Sequence, residues 1–132
     1  MTESVVCDAS ALVALLTDAG GGGAWAATSL TNVRLAAPHL VLFEVANVLR
    51  RHELAGIISA DQAAQAHADL LDLALELWPY EPLALRAWEL RGSVTVYDAT
   101  YVALAELLRS TLVTLDARLA AAPGLRCRVA HP

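Results

Sequence analysis

The feature that most constrains the fold is a short apolar run that ends in an aspartate and passes directly into a helix-forming stretch. It occurs three times, at residues 4–8, 93–98 and 111–116, and the aspartates are Asp8, Asp98 and Asp116. Short apolar strands separated by helices are typical of a parallel sheet buried on both faces. The sequence therefore predicts the α/β class, as a three-layer α/β/α sandwich with a central parallel sheet.

The remaining segments extend this alternation along the chain. Ser59 and Gln62 have the spacing of a capping box, which predicts that an amphipathic helix begins there. The four glycines at 20–23 predict a flexible turn, because no Lys-Ser or Lys-Thr follows them as in a phosphate-binding loop. We expect helices at 9–18, from Ala24, at 39–56, at 59–78, within 79–92, at 99–110 and at 117–124, and further strands at 33–38 and 125–132.

Length and composition predict a single domain that spans residues 1–132. With 57% hydrophobic residues, the chain can bury a substantial core without disulfides. Charged residues interrupt every apolar run before the roughly 18 residues that a membrane span needs. Glu3, Asp8 and Asp18 likewise interrupt any apolar signal core, so we expect a cytoplasmic protein that contacts no membrane. Cys7 and Cys127 lack metal-site spacing and are expected to be buried thiols without chemistry.

Four carboxylates are candidates for a shared site. Each aspartate taken alone is explained as a helix N-cap. Because the carboxyl ends of parallel strands lie along one edge of a sheet, however, Asp8, Asp98 and Asp116 are expected to meet in one crevice. Glu44 interrupts the apolar run LVLFEVANVL and is the fourth candidate. A solvated helix position explains Glu44 equally well.

Charge balance indicates what such a crevice would bind. Four neighbouring carboxylates repel one another, and all nine cationic residues of this chain are arginines, so no lysine is present to offset them. Mg²⁺ and Mn²⁺ prefer oxygen ligands and keep waters that phosphate oxygens can replace. The pattern therefore favours metal-dependent cleavage of nucleic acid.

At these residues the sequence resembles the PIN-domain ribonucleases, and among them the VapC-type toxins of bacterial toxin–antitoxin pairs. The matching stretches are CDAS at 7–10, FEVANVL at 43–49, YDATYVALA at 97–105 and TLVTLDARL at 111–119. The resemblance covers essentially the whole chain. It implies a Mg²⁺- or Mn²⁺-dependent endoribonuclease in which water is the nucleophile and a 5′-phosphate is left.

The resemblance also assigns residues and partners. It implies that the metal-binding and catalytic residues are Asp8, Glu44, Asp98 and Asp116, with supporting groups at Ser10, Asn47 and Thr114. It further implies a homodimer and a separate antitoxin chain that covers the groove and blocks the site.

The net charge of −5 is unfavourable for an RNA-binding protein. Two bound divalent ions would offset most of this charge, and arginines would then form a local basic rim. Arg118 is the first candidate to bind RNA, because it lies in the helix that Asp116 begins. The other candidates are Arg50, Arg51, Arg86, Arg91, Arg109, Arg126 and Arg128.

Two other functions remain open. A non-catalytic interaction module would use the aspartates only as helix caps and would act through its apolar surfaces. An aspartate-based phosphotransfer domain is disfavoured. The families that such a domain would resemble rely on a lysine near the phosphoryl group, and this chain has no lysine. Asp69, Asp72 and Glu76 share one helical face but are expected to be a solvated surface.

Overall fold

The computed structural model describes residues 3–132 and contains a five-stranded, all-parallel sheet. Its order is β3-β2-β1-β4-β5, so the direction of winding reverses at β1. The strands are β1 Ser4–Cys7, β2 Arg34–Pro38, β3 Leu75–Trp78, β4 Thr111–Val113 and β5 Val129–Ala130. The α/β fold class is confirmed.

Helices lie in two groups on the sheet. One group is formed by α1 Ala9–Thr17, α2 Gly21–Leu30, α3 Leu40–Leu54 and α4 Ala60–Asp72. The other contains α5 Ala84–Glu89 and α6 Val96–Leu108, and α6 packs against β1, β2 and β4. A last short helix is α7 Ala117–Ala120, and 3₁₀ turns occupy Glu81–Leu83 and Leu90–Gly92. Across residues 3–132, no helix combines the length and the apolarity that crossing a bilayer would take.

The core lies between these layers and is made of small and branched aliphatic side chains. Val6 and Cys7 on β1 and Leu112 on β4 are completely buried. On α6 every residue from 99 to 105 is buried, because this helix is covered on nearly all sides. The central strands are therefore fixed by packing from both faces, and so are the loops at their carboxyl ends.

The predicted strand at 93–98 is wrong. Residues 96–98 form the first turn of α6, and the Thr95 side chain caps this helix by accepting a hydrogen bond of 3.1 Å from the backbone N–H of Asp98. The Thr-x-x-Asp spacing is itself a helix-start signal, and it outweighs the β-branched composition of this segment. Asp98 therefore lies in the first turn of a helix and does not end a strand.

The predicted helix at 59–78 is too long. Ser59 and Gln62 form the expected capping box, but α4 ends at Asp72, and residues 75–78 pair in parallel with β2 as strand β3. A helical pattern of leucines continues through this segment, so periodicity alone did not show the boundary. Backbone pairing with β2, which is a tertiary interaction, determined it.

The predicted turn at 20–23 is also wrong, because helix α2 begins at Gly21. Its start is capped by the Asp18 carboxylate, which accepts hydrogen bonds from the N–H groups of Gly20 at 2.7 Å and Gly23 at 3.2 Å. A Cβ atom at Gly23 would lie 1.8 Å from the carbonyl oxygen of Asp18. The glycine at 23 is thus required by the close approach of α1 and α2. The other predicted elements agree with the structure to within a few residues, apart from β5, which is much shorter than 125–132.

We predict that Gly23→Ala destabilises the protein by about 1–3 kcal/mol, because the added methyl group must displace backbone. Gly21→Ala is the matched control in the same helix, since nothing lies within 4 Å of its Cβ position. It should be neutral or stabilising by about 0.5 kcal/mol. Urea unfolding of both variants measures the difference, and equal stabilities would contradict the close approach.

Candidate active site

The candidate site lies at the carboxyl ends of β1 and β4, the neighbouring strands where the winding reverses. In open parallel sheets this is the usual position of a ligand-binding crevice. Asp8 directly follows β1, and its backbone N–H donates a hydrogen bond of 3.2 Å to the carbonyl of Val113, the last residue of β4. Thr114 and Asp116 follow β4, so sequence-distant residues meet here.

Asp8 is buried and held by three donors. The Ser10 hydroxyl donates to Oδ1 at 2.6 Å, the backbone N–H of Ala11 donates to Oδ1 at 3.1 Å, and the Thr114 hydroxyl donates to Oδ2 at 2.5 Å. The bond from Ala11 is also the N-cap of α1. The capping function that the sequence predicts is therefore real, and it coexists with the site.

The two hydroxyl groups are themselves oriented by the backbone. The Ser10 oxygen accepts a hydrogen bond of 2.9 Å from the N–H of Leu115, and the Thr114 oxygen accepts one of 2.9 Å from the N–H of Asp116. Each hydroxyl has one proton and donates it to Asp8. No proton is left for a hydrogen bond between the Ser10 and Thr114 oxygens, which lie 3.3 Å apart. The orientation of Asp8 is thus fixed by the loop after β4.

Burial and the neighbouring donors act in opposite directions on Asp8. Burial raises the pKa of the carboxyl, and the negative charge of Asp116 raises it further. The hydrogen bonds from Ser10, Thr114 and Ala11 favour the ionised form and oppose this rise, but the pKa remains above its ordinary value. A positive ligand beside Asp8 would therefore be favoured.

Glu44 lies on α3 and points to the same site. Its carboxylate accepts a hydrogen bond from the hydroxyl of Tyr101, a completely buried residue of α6. Burial raises the pKa of Glu44, and the charges of Asp98 and Asp8 raise it further. The solvated-surface alternative for Glu44 is therefore wrong. Its side chain links α3 to α6, and its pKa is influenced by two other candidate carboxylates.

Asp98, Asp116 and Arg118 line a shared open cleft of about 490 Å³. Burial raises the pKa of Asp98, and the charges of Asp116 and Asp8 add to this effect. Asp116 also caps α7, because it accepts a hydrogen bond of 2.9 Å from the N–H of Arg118. The Arg118 side chain is almost fully exposed, and its Nε lies 3.5 Å from the Asp116 carboxylate. Arg118 is thus free to reach a ligand in the cleft.

Comparison with known proteins shows the family to which the chain is related. Residues 5–125 match the family model described as PIN domain. The chain is 43% identical over 130 residues to Ribonuclease VapC1 of Mycobacterium tuberculosis, an alignment that covers 98% of this chain and 97% of the relative. It is 38% identical to VapC ribonuclease Mb0985 of Mycobacterium bovis, with 95% of each chain covered.

The chain belongs to the PIN-domain family. Within this family it groups with the VapC proteins.

Solved structures confirm the fold of this PIN domain. PAE2754 from Pyrobaculum aerophilum superposes with a TM-score of 0.69 at 28% identity, covering 97% of this chain and 83% of that one. The DNA-bound VapBC of Salmonella typhimurium gives a TM-score of 0.68 at 15% identity, covering 99% and 98% of the two chains. At that lower identity the likeness shows the fold alone.

The donor set of this PIN domain fits a hard divalent cation. All four acidic groups offer only oxygen, and three of them have pKa values raised by burial and mutual repulsion. Arg91 and Arg118 line the cleft with Asp98 and Asp116. Within residues 3–132, no three acidic, histidine or cysteine side chains are already grouped closely enough to enclose a metal. Mg²⁺ usually keeps several waters and binds only one or two carboxylates directly, so a closed cage is not required.

Two residues differ from what the sequence indicates. Asn47 is exposed on α3, and its side chain makes no hydrogen bond to another described residue, so its supporting role stays a prediction. Tyr101 is not among the site residues that the sequence predicts, yet its hydroxyl donates a hydrogen bond to Glu44. A buried tyrosine hydroxyl needs a partner, and the spacing from Asp98 to Tyr101 places both on one helical face, which is the signal that was available.

We predict that the clustered acids make stability fall as pH rises in the presence of a chelator. Asp8, Glu44 and Asp98 have folded-state pKa values above their ordinary ones. The native state therefore binds more protons than the unfolded state from about pH 4 upward through the raised values, and ionisation in that window costs stability.

Asp98→Asn should reduce this fall and raise the urea midpoint at neutral pH. Asp69→Asn, on the exposed face of α4, is the matched control and should leave the pH profile unchanged. The measurement is the free energy of unfolding against pH for the three proteins. Superimposable profiles for wild type and Asp98→Asn would show that the acids do not repel one another.

Proposed function

We propose that this chain is a single-domain, metal-dependent endoribonuclease that acts in the cytoplasm as the toxin of a bacterial toxin–antitoxin pair. The observation that carries the proposal is the convergence of Asp8, Glu44, Asp98 and Asp116 on one edge of the sheet without a lysine to neutralise them. The relatives named as ribonucleases support it.

Each of the four acids has a defined task in this proposal. Asp8 is the rigid ligand, because three donors fix both of its oxygens. Glu44 is oriented by Tyr101, whose pKa is raised by burial and by Glu44, so that its hydroxyl remains a donor. Asp98 and Asp116 line the open cleft, where they would bind the metal from the solvent side.

A bound Mg²⁺ or Mn²⁺ would polarise the phosphodiester, lower the pKa of an attacking water and stabilise the leaving oxygen. Arg118 would contact a phosphate of the RNA from the rim of the cleft. Attack by water on the phosphorus atom would break the bond to the 3′ oxygen and leave a 5′-phosphate. Ser10 and Thr114 support this reaction only through Asp8, since both hydroxyl protons are directed to its carboxylate.

We predict that Asp98→Asn lowers RNA cleavage at least about 100-fold, because it removes one charged ligand while keeping the shape of the side chain. Chelation should abolish cleavage by the wild type, and added Mg²⁺ or Mn²⁺ should restore it. The measurement is cleavage of end-labelled cellular RNA together with circular dichroism as a check of folding.

A second readout separates metal binding from activity. Mg²⁺ should raise the thermal midpoint of the wild type and of Asp69→Asn but should have a smaller effect on Asp98→Asn. If Asp98→Asn cleaves RNA normally, or if the wild type is active after complete chelation, the proposed mechanism is wrong. A protein that folds but never cleaves RNA would instead support the interaction-module alternative.

The antitoxin would bind an apolar groove that reaches the site. This groove has a volume of about 550 Å³ and is lined by side chains of α1, α3 and the segment after α3, including Val13, Val48 and Ile57. It ends at Ser10, which holds Asp8, so an apolar segment of the antitoxin seated there would cover the carboxylates. Solved neighbours described as a toxin–antitoxin complex from Klebsiella pneumoniae and as VapBC support a protein partner of this kind.

We predict that expression of this chain alone arrests bacterial growth, and that co-expression of its genomic neighbour relieves the arrest. Mapping of RNA 5′ ends should show one or a few discrete new ends, since a specific endoribonuclease cuts at defined sites. Asp98→Asn is the inactive control. Ile57→Asp, at the exposed rim of the groove, should restore arrest in the presence of the neighbour. Growth without any new RNA end would contradict the proposal.

The homodimer would form through apolar side chains that the monomer exposes. Leu85 is 87% and Trp88 is 58% exposed, and both lie on one face of α5. Exposed residues of this kind are typical of contact surfaces. Sedimentation of the pure chain as a monomer at micromolar concentration would contradict this part of the proposal.

A further inference from the structure

A basic cleft of about 540 Å³ lies at the start of β4, whereas the carboxylates lie beyond the other end of this strand. We call it the arginine cleft, and its polar lining consists of Glu106, Arg109, Ser110, Thr111, Arg126 and Arg128. These residues come from the end of α6, the start of β4 and the segment before β5. It shares no lining residue with the cleft that contains Asp98.

The single acidic residue of the arginine cleft is already neutralised. Glu106 accepts hydrogen bonds from Arg86 Nε at 2.7 Å and Nη2 at 3.3 Å, and from the backbone N–H of Arg126 at 2.8 Å. Burial opposes ionisation of Glu106, but these bonds outweigh it and hold its pKa below the ordinary value. Glu106 therefore stays ionised, and its charge is balanced by Arg86, which does not line the cleft.

Three arginines remain free to bind a ligand there. Arg109, Arg126 and Arg128 are exposed, and within residues 3–132 none of their guanidinium groups has a carboxylate oxygen within 4 Å. They make up three of the nine positive side chains of a protein whose net charge is −5. Their positive charges face one cleft without an internal partner, so an anion is the ligand that this cleft favours.

The backbone of these arginines is fixed even though their side chains are free. The carbonyl of Arg128 accepts a hydrogen bond of 2.9 Å from Leu112 on β4, and the N–H of Arg126 is held by Glu106. Arg109 caps the end of α6 with φ of 52°, a left-handed conformation usually taken by glycine or asparagine. The fold thus holds the three arginine backbones on one rigid frame.

The chemistry of the lining favours a phosphodiester over an acidic peptide. A docked peptide or helix needs apolar anchor pockets, whereas among residues 3–132 the apolar residues that line this cleft are only Ala105 and Cys127. Guanidinium groups bind phosphate oxygens in a bidentate geometry, and the Thr111 hydroxyl offers a further polar contact. A nucleic-acid backbone, with its regularly repeated phosphates, matches such a cleft.

We propose that the arginine cleft is a second RNA-binding site, which holds backbone phosphates of the substrate away from the scissile bond. The inference rests on the proposed ribonuclease function and deepens it. The cleft begins at Thr111, and Thr114 in the active site follows three residues later, about 10 Å along β4. RNA cut at the carboxylates would pass the β5 edge and place its flanking nucleotides on the three arginines, so affinity would depend on RNA length.

The test measures RNA affinity as a function of length and salt. The measurements use the Asp98→Asn protein, and fluorescence anisotropy gives its affinity for single-stranded RNAs of about 5 and about 20 nucleotides. The shorter RNA is near the lower limit of the length that a typical single-strand binding site covers, and the longer RNA exceeds that length. Replacing Arg109, Arg126 and Arg128 together by glutamine should weaken binding of the longer RNA at least about tenfold. The slope of log affinity against log salt should become shallower by about 2, since each phosphate contact contributes about 0.7 for single strands.

The matched control lowers the net charge by the same three units elsewhere, with Ala60, Ala64 and Ala68 on the exposed face of α4 replaced by glutamate. It changes the net charge equally, so it isolates position from total charge. The control should change the affinity for the longer RNA less than about threefold. The cleft variant should weaken binding of the shorter RNA far less than binding of the longer one. Circular dichroism and urea unfolding confirm that both variants are folded.

Several results would overturn the inference. Equal losses in the cleft variant and the control would mean that only total charge matters. Equal losses on short and long RNA would place the arginines at the active site. Unchanged RNA binding together with weaker binding of the co-expressed genomic neighbour would make the cleft a protein contact.

The experiment also separates this inference from the proposed function. If the wild type cleaves no RNA but the length-dependent loss is found, the ribonuclease proposal fails and the RNA-binding site stands. If the wild type cleaves RNA and the cleft variant binds long RNA normally, the inference fails alone. If the wild type binds no RNA at all, both are wrong.

Discussion

The structure of the site depends on one buried carboxylate that is held both from helix α1 and from the loop after β4. Asp8 directly follows β1, and its oxygens accept hydrogen bonds from Ser10 and Ala11 on α1 and from Thr114 after β4. The same hydroxyl groups accept hydrogen bonds from the backbone of Leu115 and Asp116. A charge in so buried a position is costly unless hydrogen bonds compensate for it, and here they also fix the loop that carries Asp116. One network therefore stabilises the strand junction and positions two acidic residues.

Electrostatic imbalance is the second constraint on this protein. At the carboxyl edge of the sheet, negative charges gather with Arg118 as an exposed partner, and at the opposite edge three arginines gather around a neutralised Glu106. In neither group do the positive and negative charges cancel. A chain of net charge −5 thus presents one region that favours a cation and another that favours an anion, and an RNA substrate with a divalent metal would satisfy both.

The sequence predicted which acidic residues lie near one another better than it predicted the secondary structure around them. Asp98 was expected at the end of a strand, but it lies in the first turn of α6, where Thr95 caps the helix. It still reaches the cleft with Asp116, because α6 packs across β1 and β4 with its first turn at their carboxyl ends. The strand at 75–78 and the helix start at Gly21 were not predicted, since strand pairing and the close contact with Asp18 are properties of the packed chain. For the same reason the bond between Tyr101 and Glu44 joins residues that no local pattern connects.

The sequence by itself determined the parallel α/β class, the order of the acidic residues and the absence of lysine. These follow from local apolar patterning and composition, which need no knowledge of distant contacts. Only the tertiary structure decided that the half-buried Glu44 is bonded to Tyr101, that Ser10 and Thr114 share Asp8, and that Arg109, Arg126 and Arg128 line one cleft. Such groupings depend on how strands pair and helices pack, because side-chain chemistry fixes what a residue can bind, whereas the fold fixes which residues bind together.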